Sequence, residues 1–247
     1  MIFTVLVGNT NTRLAWFAGR RLVRRRVVST NALLKDLNRH LKQRVRVSGS
    51  ALASVVPAAT RPVTAALRRT SGSLPMVVDH RTRTPLRVDY DRSQLGADRL
   101  CVAVGAHLRY PGNTIVLDFG TATTVNVVTV EGRFLGGLIL PGISMMLRCL
   151  TDSTARLPLA RLAGPRPVIA SDTGTGIRAG VVHLLSGGLN HVLDEIDETT
   201  GRSYRVVATG GHARFMRRVL RPISRVDPDL ASHGLAGIYR VNRPAND

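Results

Sequence analysis

The chain has 247 residues, of which 44% are apolar and 21% charged, and this composition favours a folded globular protein over a disordered one. Apolar runs are short and interrupted by Gly or Pro, so we expect no membrane helix, which needs about 20 apolar residues. The opening MIFTVLVGN has neither a basic stretch nor a cleavage site, so we expect no signal peptide. Cys101 and Cys149 lack metal-binding or disulfide spacing, which predicts a reducing compartment, the cytoplasm.

The formal net charge of +19 is carried almost entirely by arginine, because Lys35 and Lys42 are the only lysines. A charge of this size is compatible with binding to nucleic acid or another polyanion. The arginine clusters at 20–26 and 217–221 are short, however, and contain no interleaved aromatic residues. We therefore favour a solvated arginine-rich surface, with nucleic-acid binding and attraction of a polyanionic substrate as the alternatives.

The first half of the chain begins with a strand and a tight turn. Residues 2–7 are apolar and largely β-branched, which predicts a buried strand, and Gly8-Asn9-Thr10 predicts the turn that ends it. A returning strand over 13–17 would complete a hairpin. Further along, residues 98–108 have apolar side chains at helical spacing, with Asp98 near the helix start.

The second half follows the same plan. A strand over 115–119 leads into a Gly/Thr-rich turn, and a strand over 125–130 returns from it. The spacing of apolar residues predicts a helix over 176–198, and 206–211 is predicted to be a strand with a glycine turn that leads into a helix. Strands followed by helices in both halves predict an α/β protein.

An internal repeat relates the two halves at an offset of 112 residues. It aligns Val7-Gly8 with Phe119-Gly120, and Thr12 with Thr124. The repeat divides the chain near Pro111-Gly112. We therefore predict an N-terminal lobe of residues 1–112 and a C-terminal lobe of residues 113–247.

The two repeated turns have the composition of phosphate-binding loops. Phosphoryl transfer needs donors around the phosphates, a cation that neutralises them and a base aimed at the acceptor hydroxyl. Glycine allows backbone N–H groups to approach anionic oxygens, and threonine hydroxyls add donors. Gly8–Thr12 and Gly120–Thr124 are therefore predicted to face phosphates across a cleft, although either segment alone also fits an ordinary hairpin turn.

Several charged residues have two interpretations each. Asp118 lies at the end of a buried strand. Its carboxylate could bind a cation beside the phosphates, or it could cap the following turn by accepting backbone N–H groups. Asp98 suits a helix N-cap or a general base. Arg99 could bind a substrate carboxylate through two parallel hydrogen bonds, or form a local ion pair. The turn at Gly210-Gly211 suits a close approach to a nucleoside or a plain connection.

Five motifs in this order resemble the type III pantothenate kinases over essentially the full length. The resemblance implies an acetate kinase/hexokinase/actin-type fold, in which two RNase H-like (actin-like ATPase) lobes enclose a nucleotide cleft. It also implies phosphorylation of pantothenate by ATP, the first step of coenzyme A biosynthesis, in a homodimer. The motifs are GNTNT from Gly8, LGADR (Leu95–Arg99) after Tyr90, DFGTATT (Asp118–Thr124), GGLILPG (Gly136–Gly142) and TGG (Thr209–Gly211).

The resemblance also implies the roles of individual residues. Asp98 is the implied general base, and Asp118 serves a monovalent cation, K⁺ or NH₄⁺, in addition to the Mg²⁺ that accompanies ATP. The implied ATP contacts are Leu6, Val7, Gly8, Asn9, Thr10, Asn11, Thr12, Arg13 and Thr121. The implied pantothenate contacts are Tyr90, Gly96, Ala97, Asp98, Arg99 and Thr173.

Two residues depart from the family pattern. Leu6 stands where members usually have an Asp, and Asn126 stands where many have an acidic residue. Both changes make the cleft less negative. They motivate an alternative to the kinase: a catalytically weak or inactive relative that binds pantothenate or nucleotide in a regulatory role. A nucleic-acid-binding accessory protein is a third hypothesis, which rests on charge alone.

Overall fold

The computed structural model describes residues 1–42 and 47–243; residues 43–46 and 244–247, which fall in the two predicted lobes, lie outside the described residues. Helices and strands alternate along the chain, as predicted for an α/β protein. In chain order they are β1 Ile2–Val7, β2 Asn11–Ala18, β3 Arg21–Ser29, α1 Thr30–Lys35, α2 Leu37–Leu41, β4 Gly49–Ser54, α3 Pro57–Ser71, β5 Met76–Val77, β6 Arg87–Val88, α4 Ala97–Arg109, β7 Thr114–Phe119, β8 Ala122–Val128, β9 Arg133–Gly136, β10 Ile139–Pro141, α5 Ile143–Asp152, α6 Thr173–Thr200, β11 Arg205–Thr209, α7 Ala213–Met216, β12 Ile223–Val226 and α8 Leu230–Asn242.

The predicted N-terminal hairpin is confirmed. Strands β1 and β2 pair antiparallel with Val7 opposite Thr12, and the sheet has the strand order β3-β2-β1-β4-β5. Strand β4 lies parallel to both β1 and β5. Parallel neighbours place their carboxyl ends at one edge of the sheet, which is where ligands bind in open α/β sheets.

Alternate residues of β1 pack into the main core of this sheet. Phe3, Val5 and Val7 are buried on one face, against apolar side chains of α1, α2 and α3. Phe3 also stacks on Trp16 of β2, with the ring centroids 4.7 Å apart. The period of two in β1 therefore assigns one face of the strand to the core and leaves Leu6 on the opposite face.

Helix α4 is buried along most of its length because α8 packs directly against it. A Cβ atom on Gly234 of α8 would lie 1.7 Å from the carbonyl oxygen of Cys101, and a Cβ atom on Gly105 of α4 would lie 2.2 Å from that of Leu230. Each helix thus presents a glycine where the other helix's backbone passes. Helix α8 also packs against β1 and β4, so the C-terminal helix completes the N-terminal sheet.

The chain divides into two compact units that are not contiguous halves. The first contains 1–114, 126–136 and 229–247, and the second contains 115–125 and 137–228. The chain first passes from the first unit to the second after residue 114, two residues beyond the predicted boundary at 112. The first unit also includes the C-terminal helix, since α8 packs on α4. Lobes with the boundaries 1–112 and 113–247 remain a prediction.

Within the second unit, the strand order is β12-β11-β7-β8, and β10 pairs with β8. Helix α6 is longer than the predicted 176–198. Its N-cap, Asp172, accepts a hydrogen bond from the Thr175 N–H at 2.8 Å, and Gly201 ends it with a φ of 61°. The helix predicted after the Gly210-Gly211 turn is the single turn α7. In the first unit, the end of β8 pairs with β9, and β9 with β6.

No helix in the described part of the chain has the length and apolar character required to cross a bilayer.

The helix contact at Gly234 leads to a stability prediction. Gly234→Ala should lower the free energy of unfolding by at least 2–3 kcal/mol, roughly the upper part of the range for overpacking, because the obstructing atoms are backbone. The control is Gly187→Ala within α6, where an added Cβ meets nothing within 4 Å. That change should raise stability by about 0.5–1 kcal/mol through helix propensity. Urea denaturation followed by circular dichroism measures both, and equal effects would contradict the packing argument.

Candidate active site

The first glycine turn, in the first unit, exposes three residues of the predicted ATP loop. The Gly8 N–H donates to the carbonyl of Asn11 at 3.1 Å and closes the turn. A Cβ atom on Gly8 would lie 2.9 Å from that same oxygen, so the turn requires glycine here. Asn9, Thr10 and Asn11 are exposed at the tip. The side chains available to a phosphate are therefore those of the tip.

Thr30, at the start of α1, stabilises this turn through two hydrogen bonds. Its hydroxyl donates to the Gly8 carbonyl at 2.6 Å, and its N–H donates to the Thr10 carbonyl at 2.9 Å. The Thr12 hydroxyl lies 3.1 Å from that of Thr30, and both side chains are buried. Thr12 thus supports the loop from inside. Sequence reasoning did not identify Thr30, since no local pattern connects it to a turn 20 residues earlier.

Leu6 occupies a buried position beside a basic residue. It is 5% exposed, and its partner across the hairpin is Arg13, which is half-buried. Directly paired residues of antiparallel strands project to the same face, so the two side chains are neighbours. An Asp at position 6 would therefore have a guanidinium beside it.

The second glycine turn, in the second unit, has the predicted strand-turn-strand form but is one residue shorter. The Gly120 N–H donates to the carbonyl of Ala122 at 3.0 Å, two residues on, whereas Gly8 bonds three residues on. Thr121 is exposed at the tip, and Thr123 is buried. After the turn the structural match to Thr12 therefore shifts from the predicted Thr124 by one residue.

Two further glycines pack against this second turn. A Cβ atom on Gly142 would lie 2.0 Å from the Thr121 carbonyl oxygen. A Cβ atom on Gly210, whose φ is 92°, would lie 2.5 Å from Oδ1 of Asp118. The motifs GGLILPG and TGG thus meet DFGTATT at Asp118–Thr121. Glycine is required at both positions because a neighbouring segment lies where a side chain would be.

Asp118 suits a metal ion that arrives with the nucleotide. The described residues contain no group of three or more His, Cys, Asp or Glu side chains that would form a metal site on their own. Mg²⁺ usually keeps several waters and binds substrate phosphates with only one or two protein carboxylates. The half-buried carboxylate of Asp118, beside a turn of this shape, fits that mode of binding.

His212, which the sequence analysis did not select, follows the TGG motif at the same place. Its N–H donates to the Phe119 carbonyl at 3.2 Å, and its Nε2 lies 3.4 Å from the hydroxyl of Ser144. Burial lowers the pKa of His212 below its ordinary value. Burial thus disfavours the protonated form of the imidazole beside the second turn.

Asp98 is not the N-cap of α4, so that interpretation of the sequence is wrong. The cap position is Gly96, which has no side chain to form a capping bond. Asp98 lies in the first turn, exposed, and its Oδ1 accepts the N–H of Arg99 at 2.8 Å. Carboxylates are favoured there by the helix dipole. The side chain thus lies outside the cap position and is exposed, so it is accessible for proton transfer.

A cavity of about 410 Å³ lies next to this carboxylate within the first unit. Gly96 and Ala97 line it, and a Cβ atom on Gly96 would lie 2.6 Å from Oδ1 of Asp98 and 4.0 Å from Val55, another lining residue. Asp98 itself does not line the cavity, but its carboxylate adjoins Gly96, which does. The volume is in the range of small-molecule sites.

Arg99 points away from this cavity and is 6% exposed. Its Nε donates to Oδ1 of the buried Asn126 at 2.8 Å, and its guanidinium lies 5.8 Å from the ring of Tyr90 and 5.6 Å from that of Phe134. The bond to Asn126 fixes the guanidinium plane between the two rings. The departure at Asn126 thus places a neutral acceptor where an acidic residue would form an ion pair.

The predicted site residues fall in both units. The first contains the loop at Leu6–Arg13, together with Tyr90 and Gly96–Arg99. The second contains Asp118, Thr121 and Thr173, which is exposed at the first position of α6.

Comparison with protein families identifies the chain's relatives. The family model for type III pantothenate kinase matches residues 2–195. The chain belongs to the type III pantothenate kinase family. It is 34% identical to the type III pantothenate kinase of Phenylobacterium zucineum, over 98% of this chain and 99% of that one. It is 36% identical to that of Nocardia farcinica, over 98% of both.

Solved structures support the fold that the family implies. A Campylobacter jejuni protein described as a Baf family transcriptional activator superposes with a TM-score of 0.66 at 16% identity, over 98% of this chain and 100% of that one. The ROK hexokinase of Thermus thermophilus superposes with a TM-score of 0.50 at 15% identity, over 99% of both chains. At these identities the likeness shows the fold alone, and it confirms the fold class predicted from the sequence.

The environment of His212 leads to a prediction about pH. Because its folded-state pKa lies below the ordinary 6.5, the unfolded chain takes up the proton first as the pH falls. Stability should therefore decline as the pH is lowered through about 6.5 towards the folded-state pKa. His212→Gln should reduce this decline, measured as the urea midpoint at pH 7.5 and pH 5.5. His191→Gln, which replaces an exposed histidine on α6, should keep the wild-type decline; an equal change in both variants would contradict the assignment.

Proposed function

We propose that the chain phosphorylates pantothenate with ATP, using Asp98 as the general base. Family membership supports the reaction, and the observation that carries the assignment of the base is the position of Asp98. Its carboxylate is exposed, adjoins Gly96 in the lining of a cavity of about 410 Å³, and lies outside the cap position of α4. The decisive experiment is a coupled assay of purified protein with pantothenate, ATP, Mg²⁺ and K⁺.

In the proposed reaction, Asp98 accepts the proton of the primary hydroxyl as its oxygen attacks the γ-phosphorus. A new O–P bond forms, the bond between the γ-phosphorus and the bridging oxygen breaks, and ADP leaves with that electron pair. Mg²⁺, when bound with ATP, neutralises phosphate charge during the transfer. Accurate placement of the hydroxyl and the base supplies most of what the protein can contribute, together with fixed electrostatics.

The proposed ATP contacts come from the two glycine turns, one in each unit. The exposed tip of the first turn, Asn9–Asn11, offers N–H groups and side chains to phosphate oxygens, and Thr121 offers the same from the second. The rest of the predicted loop, Leu6–Val7 and Thr12–Arg13, supports the tip from the paired strands. Asp118 serves the cation, and we assign the monovalent ion, K⁺ or NH₄⁺, to it as well.

The pantothenate contacts in this proposal are Tyr90, Gly96, Ala97, Asp98 and Arg99 of the first unit and Thr173 of the second. Gly96 and Ala97 bring backbone close to the substrate, and Tyr90 lies against the guanidinium of Arg99. The bond from Arg99 to Asn126 keeps that guanidinium in one orientation. A preorganised site of this kind loses little conformational entropy when the substrate binds.

The comparisons give no support to the non-catalytic alternative that Leu6 suggested. The nucleic-acid hypothesis is also weaker in light of the arginine cluster on β3. Arg24 lies 5.1 Å from the ring of Trp16, Arg25 pairs with Asp229 at 2.7 Å, and Arg26 bonds to His40 at 2.9 Å. Contacts within the fold thus occupy three arginines of this cluster.

We also propose a cytoplasmic homodimer. Both cysteines are free thiols, which suits a reducing compartment. In the second unit, large apolar side chains are exposed on α6 and on the segment before it: Leu184 at 71%, Leu159 at 60%, Val168 at 86% and Ile169 at 90%. Exposed apolar groups at this density are typical of association surfaces.

Replacement of the proposed base tests the mechanism. Asp98→Asn should lower kcat by roughly 10²- to 10⁴-fold, the usual contribution of a general base. Its unfolding midpoint should hardly change, since Gly96 and not Asp98 occupies the cap position. The control, Asp36→Asn, replaces an exposed carboxylate that caps α2 and should leave turnover unchanged. Wild-type turnover in Asp98→Asn would remove Asp98 from the reaction.

Restoring the family carboxylate tests the effect of Leu6. Leu6→Asp should raise turnover at limiting Mg²⁺ by about 10- to 100-fold, because outer-shell metal contacts have effects of that size. The change replaces a buried apolar group and should cost about 1–3 kcal/mol of stability, reduced by the neighbouring Arg13. Leu6→Asn is the matched neutral control and should lose stability without gaining turnover. A magnesium titration of the three proteins decides, and the same response in Leu6→Asp and Leu6→Asn would refute the prediction.

The proposed dimer is tested on α6. Leu184→Glu should convert a dimer to a monomer in sedimentation velocity at micromolar concentration, since it places a charge in an apolar interface. Asn190→Glu, an exposed polar position on the same helix, should remain dimeric. A monomeric wild type, or dissociation of both variants, would speak against the assignment.

A further inference from the structure

The two glycine turns differ in the charge of the residues beside them. The repeat offset of 112 residues aligns Leu6 with Asp118, so the strand before the second turn carries a carboxylate at a position where the strand before the first turn carries an apolar group. The first turn has a cation there instead, because Arg13 of the returning strand pairs with Leu6. Thr124 and Val125, which correspond to Arg13 with and without the one-residue shift after the turn, are both uncharged. The first turn is therefore flanked by a positive charge and the second by a negative one.

Arg13 lies in β2 with an apolar neighbour on each side. Its partner across the hairpin is Leu6 of β1, and its partner in the next strand is Val27 of β3. Directly paired residues of antiparallel strands project to the same face, so these three side chains are neighbours. Neither Leu nor Val has a side-chain acceptor for a hydrogen bond. The strand pairing therefore supplies no counter-charge to the guanidinium of Arg13.

The guanidinium of Arg13 is also without a polar partner elsewhere in the described part of the chain. Arg13 is half-buried, and no hydrogen bond or ion pair joins its side chain to another described residue. The arginines of β3 differ in this respect, since Arg25 pairs with Asp229 at 2.7 Å and Arg26 bonds to His40 at 2.9 Å. A guanidinium has five N–H donors, and partial withdrawal from water makes an arriving anion a favourable partner for it.

The position of Arg13 relative to the first turn suits a phosphate. The preceding residue, Thr12, is buried beside Thr30 on one face of the hairpin, so Arg13 projects to the other face. The exposed tip, Asn9–Asn11, ends two residues before Arg13. The tip offers neutral donors, and Arg13 offers a charged fork that matches phosphate oxygens. A phosphate bound at the tip therefore has a guanidinium available to it without an intervening metal ion.

We propose that Arg13 binds a phosphate of the nucleotide directly and neutralises its charge, so that the first turn binds nucleotide without a metal ion. The inference rests on the proposed function and assigns a different source of positive charge to each turn. Asp118 serves the cation at the second turn, and the side chain of Arg13 is the cation at the first. Leu6 belongs to this arrangement, because an acid at position 6 would pair with Arg13 and withdraw it from the phosphate.

The test measures binding by calorimetric titration, in EDTA and in Mg²⁺, of two ligands: ATP and adenosine, which lacks the phosphates. Wild type should bind ATP in EDTA as well as in Mg²⁺. Arg13→Gln should raise the Kd for ATP in EDTA by roughly 10- to 100-fold, as expected for loss of a charge-assisted pair. The Kd for adenosine should be the same in both proteins, because adenosine has no phosphate for Arg13 to bind.

Three further variants complete the design. Arg21→Gln is the matched control: it removes an exposed arginine of β3 that pairs with Ala18, at the end of β2 away from the turn, and should bind ATP as wild type does. Arg13→Lys keeps the charge without the fork and should lie between wild type and Arg13→Gln. Leu6→Asp should weaken ATP binding in EDTA. In that background Arg13→Gln should have a smaller effect than in wild type, because the new carboxylate already pairs with the guanidinium.

Several results would contradict the inference. An unchanged Kd for ATP in Arg13→Gln would remove Arg13 from the phosphates, and equal losses with ATP and adenosine would show that Arg13 only supports the hairpin. A wild type that phosphorylates pantothenate but binds ATP in Mg²⁺ alone would refute the inference and leave the proposed function intact. A wild type that neither binds ATP in either buffer nor phosphorylates pantothenate would refute the proposed function itself, and with it this inference.

Discussion

The close contact between α4 and α8 is the constraint on which the acceptor side depends. Gly105 and Gly234 allow the two helix backbones to approach to distances that any side chain would prevent. Because α8 also packs on β1 and β4, this contact fixes the start of α4 against the carboxyl ends of the sheet. Asp98 and the cavity beside it are therefore positioned by residues more than 100 positions away in sequence.

In the second unit, close backbone contacts at glycines also determine the surroundings of Asp118. There the neighbours are two glycine turns, which bring Gly142 and Gly210 against the backbone and carboxylate of Asp118–Thr121. Motifs that are separate in the sequence therefore lie together in the structure. Glycine is required at both positions because chain segments pass there, and this leaves Thr121 as the exposed hydroxyl of the turn.

The two departures from the family pattern have different structural consequences. Leu6 fills a buried place next to Arg13, so it stabilises the hairpin while removing a carboxylate near the first turn. Asn126 is fully buried and accepts a hydrogen bond from Arg99, so a neutral group helps to orient the guanidinium. A buried ion pair costs desolvation that a neutral acceptor avoids, which makes Asn an acceptable substitute for orientation. The substitution at Leu6 thus changes the charge near the first glycine turn, and the substitution at Asn126 changes the group that orients Arg99.

Local pattern in the sequence was sufficient for the elements and the family. The alternation of apolar residues in β1 and the glycine at position 8 predicted the hairpin, and the apolar spacing of α4 and α6 predicted those helices within a few residues. Five motifs in one order predicted the family and with it the fold class. These features depend on residues a few positions apart, so they can be recognised in a single sequence without the structure.

Only the tertiary structure decided which of the selected residues are accessible and what holds them. Thr12, one of the expected phosphate contacts, is buried against Thr30, and Arg99 is enclosed by Asn126, Tyr90 and Phe134. The N-cap interpretation of Asp98 was wrong because Gly96 occupies the cap, and His212 belongs to no motif. Burial and hydrogen bonding between distant segments depend on how the chain packs, and the order of residues along a single chain does not determine which groups meet.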